Sequence, residues 1–209
     1  MIKAIVFDMD GVLVDARDWH YQALNRALRV FGYEIDRYDH LVTYDGLPTR
    51  RKLEILTRDG GLPHGLHAFI NELKQIYTTE LVQVHCKPSF QRQYALSRLK
   101  AEGYRLGVAS NSVRKSVELF MEKSSLRQHM DILLSNEDVQ RAKPDPEIYL
   151  KAFAALSLRP EEVLVVEDNE HGLQAARASG AHVMAVESVS AVTYDNIKAH
   201  LARAQGVPA

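Results

Sequence analysis

Two aspartates near the start of the chain, Asp8 and Asp10, have the spacing and setting of a metal or phosphate site. They follow a short apolar run, residues 2–7, that is typical of a fully buried strand, and Gly11 comes next. Open α/β sheets bind their ligands at the carboxyl ends of the strands. Carboxylates at i and i+2 around a turn repel each other unless a cation lies between them, and Mg²⁺ prefers such oxygen ligands. The alternative is a turn without a ligand, since Asp and Gly are common turn residues.

Polar side chains also follow later apolar runs. Ser110 and Asn111 follow one run, Glu167 and Asp168 follow another, and Lys143 lies between them in the sequence. Each has an ordinary interpretation alone: a helix N-cap for the first pair, a solvated lysine, and a strand-end turn for the last pair. If the sheet is parallel, however, all the strand ends lie along one edge, and their joint occurrence favours a single site.

Such a set matches what phosphoryl transfer to a carboxylate requires. A nucleophile must lie in line with the phosphorus, and cationic groups must offset the phosphate charge. Asp8 is the candidate nucleophile and would form an aspartyl-phosphate. Asp10 is the candidate general acid and base, which protonates the leaving oxygen and then deprotonates the water that cleaves the intermediate.

The cofactor implied by this chemistry is Mg²⁺. It would bridge Asp8 and the phosphate, with Asp168 as a ligand and Glu167 as a further candidate ligand. The Ser110 hydroxyl, together with backbone N–H groups at a helix N-terminus, is predicted to bind phosphate oxygens. Lys143 would supply a positive charge without a further metal ion.

The elements that must position these side chains alternate between strands and helices in the second half of the chain. Strands are predicted at residues 106–109, 132–134, 163–166 and 182–186, and the last helix at 194–204. Asp145, as an N-cap before Pro146, predicts another helix start. Alternation of this kind implies a parallel sheet with right-handed crossovers. Residues 15–83, in contrast, show only helical spacing, with three helices predicted at about 19–31, 49–60 and 64–82.

Length and composition exclude several classes of protein. The 209 residues suffice for one large domain or for a core with a smaller insert, and 46% hydrophobic and 25% charged residues are ordinary for a globular protein. A net charge of -1 argues against a broad surface for nucleic acid or for an anionic membrane. No apolar run reaches the length of a membrane span, the start does not resemble a signal peptide, and Cys86 is the only cysteine. We therefore expect a cytoplasmic protein whose partner is a small molecule; the sequence carries no signal of an oligomeric state.

Four motifs together resemble the haloacid dehalogenase superfamily of phosphohydrolases over nearly the whole chain. In order, they are Asp8-Met9-Asp10-Gly11-Val12, Ser110-Asn111, Lys143-Pro144-Asp145-Pro146 and Val166-Glu167-Asp168. The resemblance, to the phosphoglycolate phosphatase and β-phosphoglucomutase-like subgroup, implies an α/β fold with a Rossmann-like three-layer parallel sheet core, Mg²⁺ and an inserted all-helical cap. It implies the roles given above, includes Asn111 in the phosphate-binding group, and places the backbone carbonyl of Asp10 on the metal. One departure is Asn169, where many relatives have Ser.

The cap is expected to comprise residues 15–83, and the core residues 1–14 and 84–209. The resemblance implies that His20, on the first cap helix, lies near the site; an ordinary half-buried histidine is the alternative. Arg50 and Arg51 belong to a loop that resembles the substrate-covering loop of the family and could reach a second anionic group. Here the alternative is a solvated helix start.

The preferred function is a Mg²⁺-dependent phosphohydrolase that cleaves a small phosphorylated metabolite of the sugar phosphate or phosphoglycolate type. A β-phosphoglucomutase-like phosphomutase is an alternative, although the lysine expected on its third cap helix has no clear counterpart, with Lys74 close by. A dehalogenase has no need of an acid at Asp10, and a phosphonate hydrolase needs a cap lysine that forms a Schiff base. A non-catalytic phosphate-binding scaffold has no reason to keep an uncompensated cluster of acids.

Overall fold

The computed structural model describes residues 1–206, in which the strands form one parallel sheet. In chain order the strands are β1 (Ala4–Phe7), β2 (Arg105–Ala109), β3 (Ile132–Leu134), β4 (Val163–Glu167) and β5 (His182–Ala185). They lie side by side in the order β3-β2-β1-β4-β5. Phe7 of β1 is in register with Val108 of β2 and Val166 of β4, so the residues that follow these strands meet at one edge.

Helices make up most of the remaining structure. They are α1 (Arg17–Arg29), α2 (Arg37–Asp39), α3 (Thr49–Gly60), α4 (His67–His85), α5 (Phe90–Ala101), α6 (Arg114–Lys123), α7 (Glu147–Ala155), α8 (Glu170–Ala178) and α9 (Tyr194–Ala204). A π-helical turn covers His40–Tyr44, and short 3₁₀ turns cover His64–Leu66, Arg127–His129, Asn136–Asp138, Pro160–Glu162 and Val189–Ala191. Within residues 1–206, no helix combines the length and the apolar character needed to cross a membrane.

Helices cover both faces of the sheet, which confirms the predicted three-layer core. Ile5 and Phe7 of β1 point to the layer formed by α5, α6 and α9, whereas Ala4 and Val6 point to the layer formed by α7 and α8. All four side chains are fully buried, which explains why this strand is a continuous apolar run. Burial of a side chain such as Phe7 contributes about 1.5–3 kcal/mol to stability.

A separate apolar cluster holds together the helices inserted between β1 and β2. It contains Leu24 and Leu28 of α1, Leu53 and Leu56 of α3, and Ile70 of α4. Helix α1 packs along α4, and α3 packs against the same helix. This cluster forms the core of the predicted helical cap. The boundaries at residues 15 and 83 stay our proposal; α4 itself continues to His85.

Most predicted element ends lie within a few residues of those in the structure, and several differ. Helix α3 begins and ends as predicted, and it ends where it does because Gly61 takes a left-handed conformation, with φ +70°. Strand β4 extends through Glu167, whose carbonyl accepts the N–H of Val186 at 2.8 Å. Asp145 does not directly precede the first helical residue as an N-cap would, since α7 begins at Glu147, but its carboxylate accepts the N–H of Glu147 at 3.0 Å.

Candidate active site

A cavity of about 480 Å³ lies between the carboxyl edge of the sheet and the helical cap. The predicted core residues that line it come from separate loops and are Asp8, Asp10, Ser110, Asn111, Lys143 and Asp168. Glu167 is fully buried and does not line the cavity, although it contacts residues that do. The fold therefore brings together side chains that are up to 160 positions apart in the sequence, because the carboxyl ends of parallel strands lie at one edge of the sheet.

Lys143 connects two buried carboxylates at the base of this cavity. Its Nζ atom lies 2.7 Å from Oδ1 of Asp8 and 2.5 Å from Oε1 of Glu167, and the Tyr149 hydroxyl donates to the same Glu167 oxygen at 2.6 Å. Burial raises the pKa of Asp8 well above its ordinary value, against the opposing charge of Lys143. Burial disfavours the charged form of Lys143, but Asp8 and Glu167 outweigh it and raise the lysine pKa. The candidate nucleophile thus has a permanent cation beside it.

Three carboxylates form a candidate metal centre. Oxygen atoms of Asp8, Glu167 and Asp168 all lie within 4.8 Å of one another. Burial and the charge of Glu167 raise the pKa of Asp168 to about 6, which disfavours the ionised form of Asp168. A divalent cation among them would reverse that effect, and an all-oxygen donor set suits a hard ion such as Mg²⁺. The residues present therefore fit the predicted cofactor.

The loop after Asp10 has no room for a side chain at position 11. Gly11 has φ +86°, and a Cβ atom there would lie 1.9 Å from Oδ2 of Asp168. Only glycine combines this backbone conformation with so close an approach. The glycine of the first motif thus lets the loop pass directly beside a candidate metal ligand.

Ser110 and Asn111 lie in a loop at the edge of the cavity. The Ser110 hydroxyl accepts the N–H of Ser112 at 3.1 Å. The Asn111 side chain accepts the N–H of Lys143 at 3.1 Å and donates to the carbonyl of Gly46, in the cap, at 3.1 Å. Helix α6 begins only after a further turn, so the prediction that Ser110 lies at a helix N-terminus is wrong. The backbone of the intervening loop separates the strand end from the helix.

Asp10 has partners of its own, distinct from those of Asp8. Its Oδ2 atom accepts a hydrogen bond from Ser112 at 3.0 Å, and its Oδ1 atom lies 3.1 Å from Nε2 of His20, at ion-pair distance but not aligned as a hydrogen bond. Nδ1 of His20 lies 3.3 Å from Nζ of Lys74. Burial alone would raise the pKa of Asp10, but the charges of His20 and Lys74 and the Ser112 hydrogen bond hold it below its ordinary value. The structure places His20 next to the candidate acid.

The two cap arginines differ in position. Arg50 lines the cavity, but its side chain is 90% exposed and lies 3.2 Å from Glu54. Arg51 is 59% exposed, lies 3.0 Å from the same glutamate and does not line the cavity. The structure thus brings Arg50 to the cavity and leaves Arg51 outside it.

Two buried lysines were not among the predicted site residues. Lys52 of α3 and Lys74 of α4 line the cavity and are only 8% and 7% exposed. Lys74, noted from the sequence as close to the lysine that a mutase would have on its third cap helix, lines the cavity. Its sequence signal is its place in the buried i, i+4 series Ile70, Lys74, Thr78 and Val82, where a lysine needs an explanation.

The loop that precedes α3 docks against the core. Arg17 of α1 lies 2.8 Å from Oδ2 of Asp168 in the core and 3.2 Å from Oδ2 of Asp45 in the cap loop. Gly46 has φ +70°, and a Cβ atom there would lie 2.7 Å from the side chain of Asn169. Asn169 in turn caps α8 and donates to Asp168 at 3.3 Å. The cap therefore covers the cavity through contacts with the loop that carries the candidate metal ligand.

Comparisons with known proteins agree with this fold. A family model described as haloacid dehalogenase-like hydrolase matches residues 5–186. A phosphorylated carbohydrates phosphatase of Thermotoga maritima is 29% identical over 184 residues, which cover 86% of this chain and 82% of that protein. A phosphoglycolate phosphatase of Aquifex aeolicus is 26% identical, with 86% and 82% of the two chains covered. The crystal structure of β-phosphoglucomutase from Clostridium difficile has the same fold, with a TM-score of 0.85 at 20% identity over 97% of this chain and 98% of that chain.

Proposed function

The chain belongs to the haloacid dehalogenase-like hydrolase family and is a phosphatase of small phosphorylated molecules, and on that premise we propose a specific chemistry for it. It is a Mg²⁺-dependent phosphohydrolase that cleaves a phosphomonoester of the sugar phosphate or phosphoglycolate type. The reaction proceeds through an aspartyl-phosphate on Asp8.

Two carboxylates carry the two halves of the reaction. An oxygen of Asp8 forms a bond to phosphorus while the ester P–O bond breaks, and Asp10 gives its proton to the leaving alkoxide. Water then attacks the phosphorus and Asp10 takes its proton. The bond between the Asp8 oxygen and phosphorus breaks, which restores the carboxylate and releases inorganic phosphate. An incoming phosphate anion raises the pKa of Asp10, because like charges disfavour its ionised form. Substrate binding thus favours the protonated acid that the first step needs.

The remaining residues bind and neutralise the phosphate. Asp8, Glu167, Asp168 and the carbonyl of Asp10 would hold Mg²⁺, which supplies positive charge to the phosphate oxygens when bound. Lys143 adds a fixed cation, and Ser110 and Asn111 donate hydrogen bonds to the phosphate oxygens.

One observation carries this proposal: Asp8 and Asp10 face the same cavity but have different partners. Asp8 lies 2.7 Å from the Lys143 amine, whose charge opposes the effect of burial and favours the ionised form that a nucleophile needs. Asp10 lies 3.1 Å from His20 of the cap, a titratable neighbour that suits a group exchanging protons. Two carboxylates in distinct environments are the arrangement needed for two distinct roles.

Phosphate release from an aryl phosphate tests the proposal. We expect release from p-nitrophenyl phosphate in the presence of Mg²⁺, background rates in EDTA, and recovery when excess Mg²⁺ is restored. Rates that EDTA leaves unchanged would contradict the metal requirement. If the folded protein binds Mg²⁺ in calorimetry but releases no phosphate from any phosphomonoester, the proposed hydrolase activity would be contradicted.

The affinity for Mg²⁺ should depend on pH. Because the pKa of Asp168 lies at about 6, Mg²⁺ must displace a proton from it below that pH. We expect the dissociation constant, measured by calorimetry between pH 5 and 7.5, to rise about tenfold per pH unit below pH 6. Asp168→Asn should weaken binding and flatten this profile, whereas Asp15→Asn, at an exposed carboxylate that does not line the cavity, should leave it unchanged. A constant affinity across the range would refute the assignment of Asp168 as a ligand.

A phosphomutase of the β-phosphoglucomutase kind is the second candidate. The observation that favours it is Lys74, which lies in the cavity 3.3 Å from His20 beneath a cap loop hydrogen-bonded to Asn111. A mutase needs such a closed cavity to protect its aspartyl-phosphate from water. With a sugar monophosphate and catalytic sugar bisphosphate, a mutase yields the isomeric sugar phosphate, whereas a hydrolase yields inorganic phosphate.

A further inference from the structure

Arg17, the first residue of α1, bridges the cap and the core. Its Nη2 atom lies 2.8 Å from Oδ2 of Asp168, and its Nε atom lies 3.2 Å from Oδ2 of Asp45. Within residues 1–206, no other arginine or lysine of the cap pairs with a carboxylate of the core. A planar guanidinium can face two carboxylates at once, because its N–H groups point in fixed and different directions. The position of Asp45 relative to Asp168 therefore depends on Arg17.

Asp45 begins the cap loop, residues 45–48, which lines the cavity. The loop also meets the core at Gly46, whose carbonyl accepts a hydrogen bond from the Asn111 side chain at 3.1 Å. Arg17 and this hydrogen bond together tie the loop to the sheet edge. Loss of the Arg17 bridge should therefore let the loop open more often, because local opening is governed by the contacts that hold a segment in place.

Arg17 also places a positive charge at a candidate metal ligand. The side chain of Asp168 is only 2% exposed, and it belongs to the cluster with Asp8 and Glu167 that could hold Mg²⁺. Burial disfavours the charged form of Arg17, but the charges of Asp45 and Asp168 outweigh it and raise the arginine pKa. Arg17 therefore stays charged, and a guanidinium so close to the carboxylate repels an incoming Mg²⁺.

We infer that Arg17 is a positioning residue through which the metal site controls the cap loop: Arg17 and Mg²⁺ compete for Asp168, and Mg²⁺ binding loosens the loop over the cavity. The inference deepens the proposed function and rests on its assignment of Asp168 as a metal ligand. Coupling between two binding events is reciprocal, so removal of Arg17 should strengthen Mg²⁺ binding. The metal-loaded protein opens its cavity more readily, which admits the substrate phosphate after the ion that neutralises it.

Two substitutions break the bridge from opposite sides and should shift the Mg²⁺ affinity in opposite directions. Calorimetry is carried out at pH 8, well above the Asp168 pKa of about 6. Arg17→Gln removes the competing cation, so the dissociation constant should fall about threefold to tenfold. Asp45→Asn leaves Arg17 beside Asp168 without the carboxylate that offsets its charge, so the constant should rise about threefold. A purely structural bridge would shift both constants in the same direction.

Hydrogen exchange measures the loop directly and does not depend on catalysis. The Leu47 N–H, which donates to the Tyr44 carbonyl at 3.3 Å, is the reporter. In the metal-free protein, Arg17→Gln and Asp45→Asn should each speed exchange at this amide about threefold to tenfold, because each loses the bridge. Saturating Mg²⁺ should speed exchange in the wild type by a similar factor and have little effect in Arg17→Gln.

An ion pair that stays within the cap gives matched controls. Arg37 and Asp18 lie 2.6 Å apart, and neither lines the cavity. Arg37→Gln and Asp18→Asn make the same changes in charge, and both readouts should stay nearly constant because exposed charges are screened. Arg17→Lys keeps the charge without the planar fork. We expect it to keep a Mg²⁺ affinity near that of the wild type while exchange at Leu47 becomes faster.

The outcomes distinguish failure of this coupling from failure of the proposed function. Suppose that the wild type releases phosphate from p-nitrophenyl phosphate with Mg²⁺, and that Arg17→Gln binds Mg²⁺ no more tightly than the wild type. The coupling would then be overturned and the hydrolase would stand. If no phosphomonoester is hydrolysed, tighter Mg²⁺ binding by Arg17→Gln and Mg²⁺-dependent exchange at Leu47 would still support the coupling. Absence of Mg²⁺ binding, or wild-type exchange that Mg²⁺ does not change, would overturn it.

Discussion

Asp8→Asn is expected to lower kcat/KM for p-nitrophenyl phosphate at least about 10³-fold, because the amide cannot attack phosphorus to form the covalent intermediate. The substitution keeps the size of a side chain that is 5% exposed, so the fold should persist. It also removes one of three mutually repelling acids, and the melting temperature should not fall. Rapid-quench detection of acid-stable incorporation of labelled phosphate, present in the wild type and absent in the variant, reports the intermediate itself.

Asp15→Asn is the matched control for this result. It makes the same chemical change at an exposed carboxylate in the same part of the chain, and we expect near-wild-type rates. A rate reduction of less than tenfold in Asp8→Asn, in preparations free of deamidated protein, would show that Asp8 is not the nucleophile.

Lys143→Met is expected to destabilise the protein by about 3–5 kcal/mol and to abolish turnover. Removal of the amine leaves Asp8 and Glu167 as buried carboxylates without their shared cation, and breaking a buried pair from one side carries a cost of this size. Because the whole stability of a domain is about 5–15 kcal/mol, the loss is large enough for urea unfolding to measure directly.

A double variant gives the control. Lys143→Met with Glu167→Gln removes one of the stranded charges, so the pair should recover at least about 1 kcal/mol relative to Lys143→Met. Recovery of stability without recovery of turnover would match a cation that both holds the fold and neutralises the phosphate. Equal stability of Lys143→Met and the wild type would contradict the ion pairs seen in the structure.

Local patterns in the sequence were sufficient for much of the fold. The run that became β1 is apolar at every position because both of its faces are covered, and Gly61 ends α3 because glycine adopts the left-handed conformation at little cost. The polar residues after the strands could be assigned to one site because parallel strands share an edge. Each of these inferences depends on neighbours in sequence, or on a rule that holds for any parallel sheet.

Contacts between the cap and the core could not be predicted from the sequence. Three features depend on how the helical cap packs against the core. They are the burial of the lysines of α3 and α4, the approach of Arg17 to Asp168, and the loop between Ser110 and α6. Arg50 and Arg51 precede Lys52 in the sequence, yet only the structure shows that Lys52 points into the cavity while the arginines are largely exposed. Helical periodicity defines a face of α3, but not what that face meets.

By itself the sequence determined the parallel α/β core, the helical insert and the set of strand-end residues proposed to carry phosphoryl transfer, because these follow from short-range periodicity and strand polarity. Only the tertiary structure decided which partners Asp8 and Asp10 have and which lysines of the cap line the cavity. Such pairings join residues far apart in the chain. They arise from the packing of α1, α3 and α4 over the sheet edge, which brings Lys52 and Lys74 to the cavity.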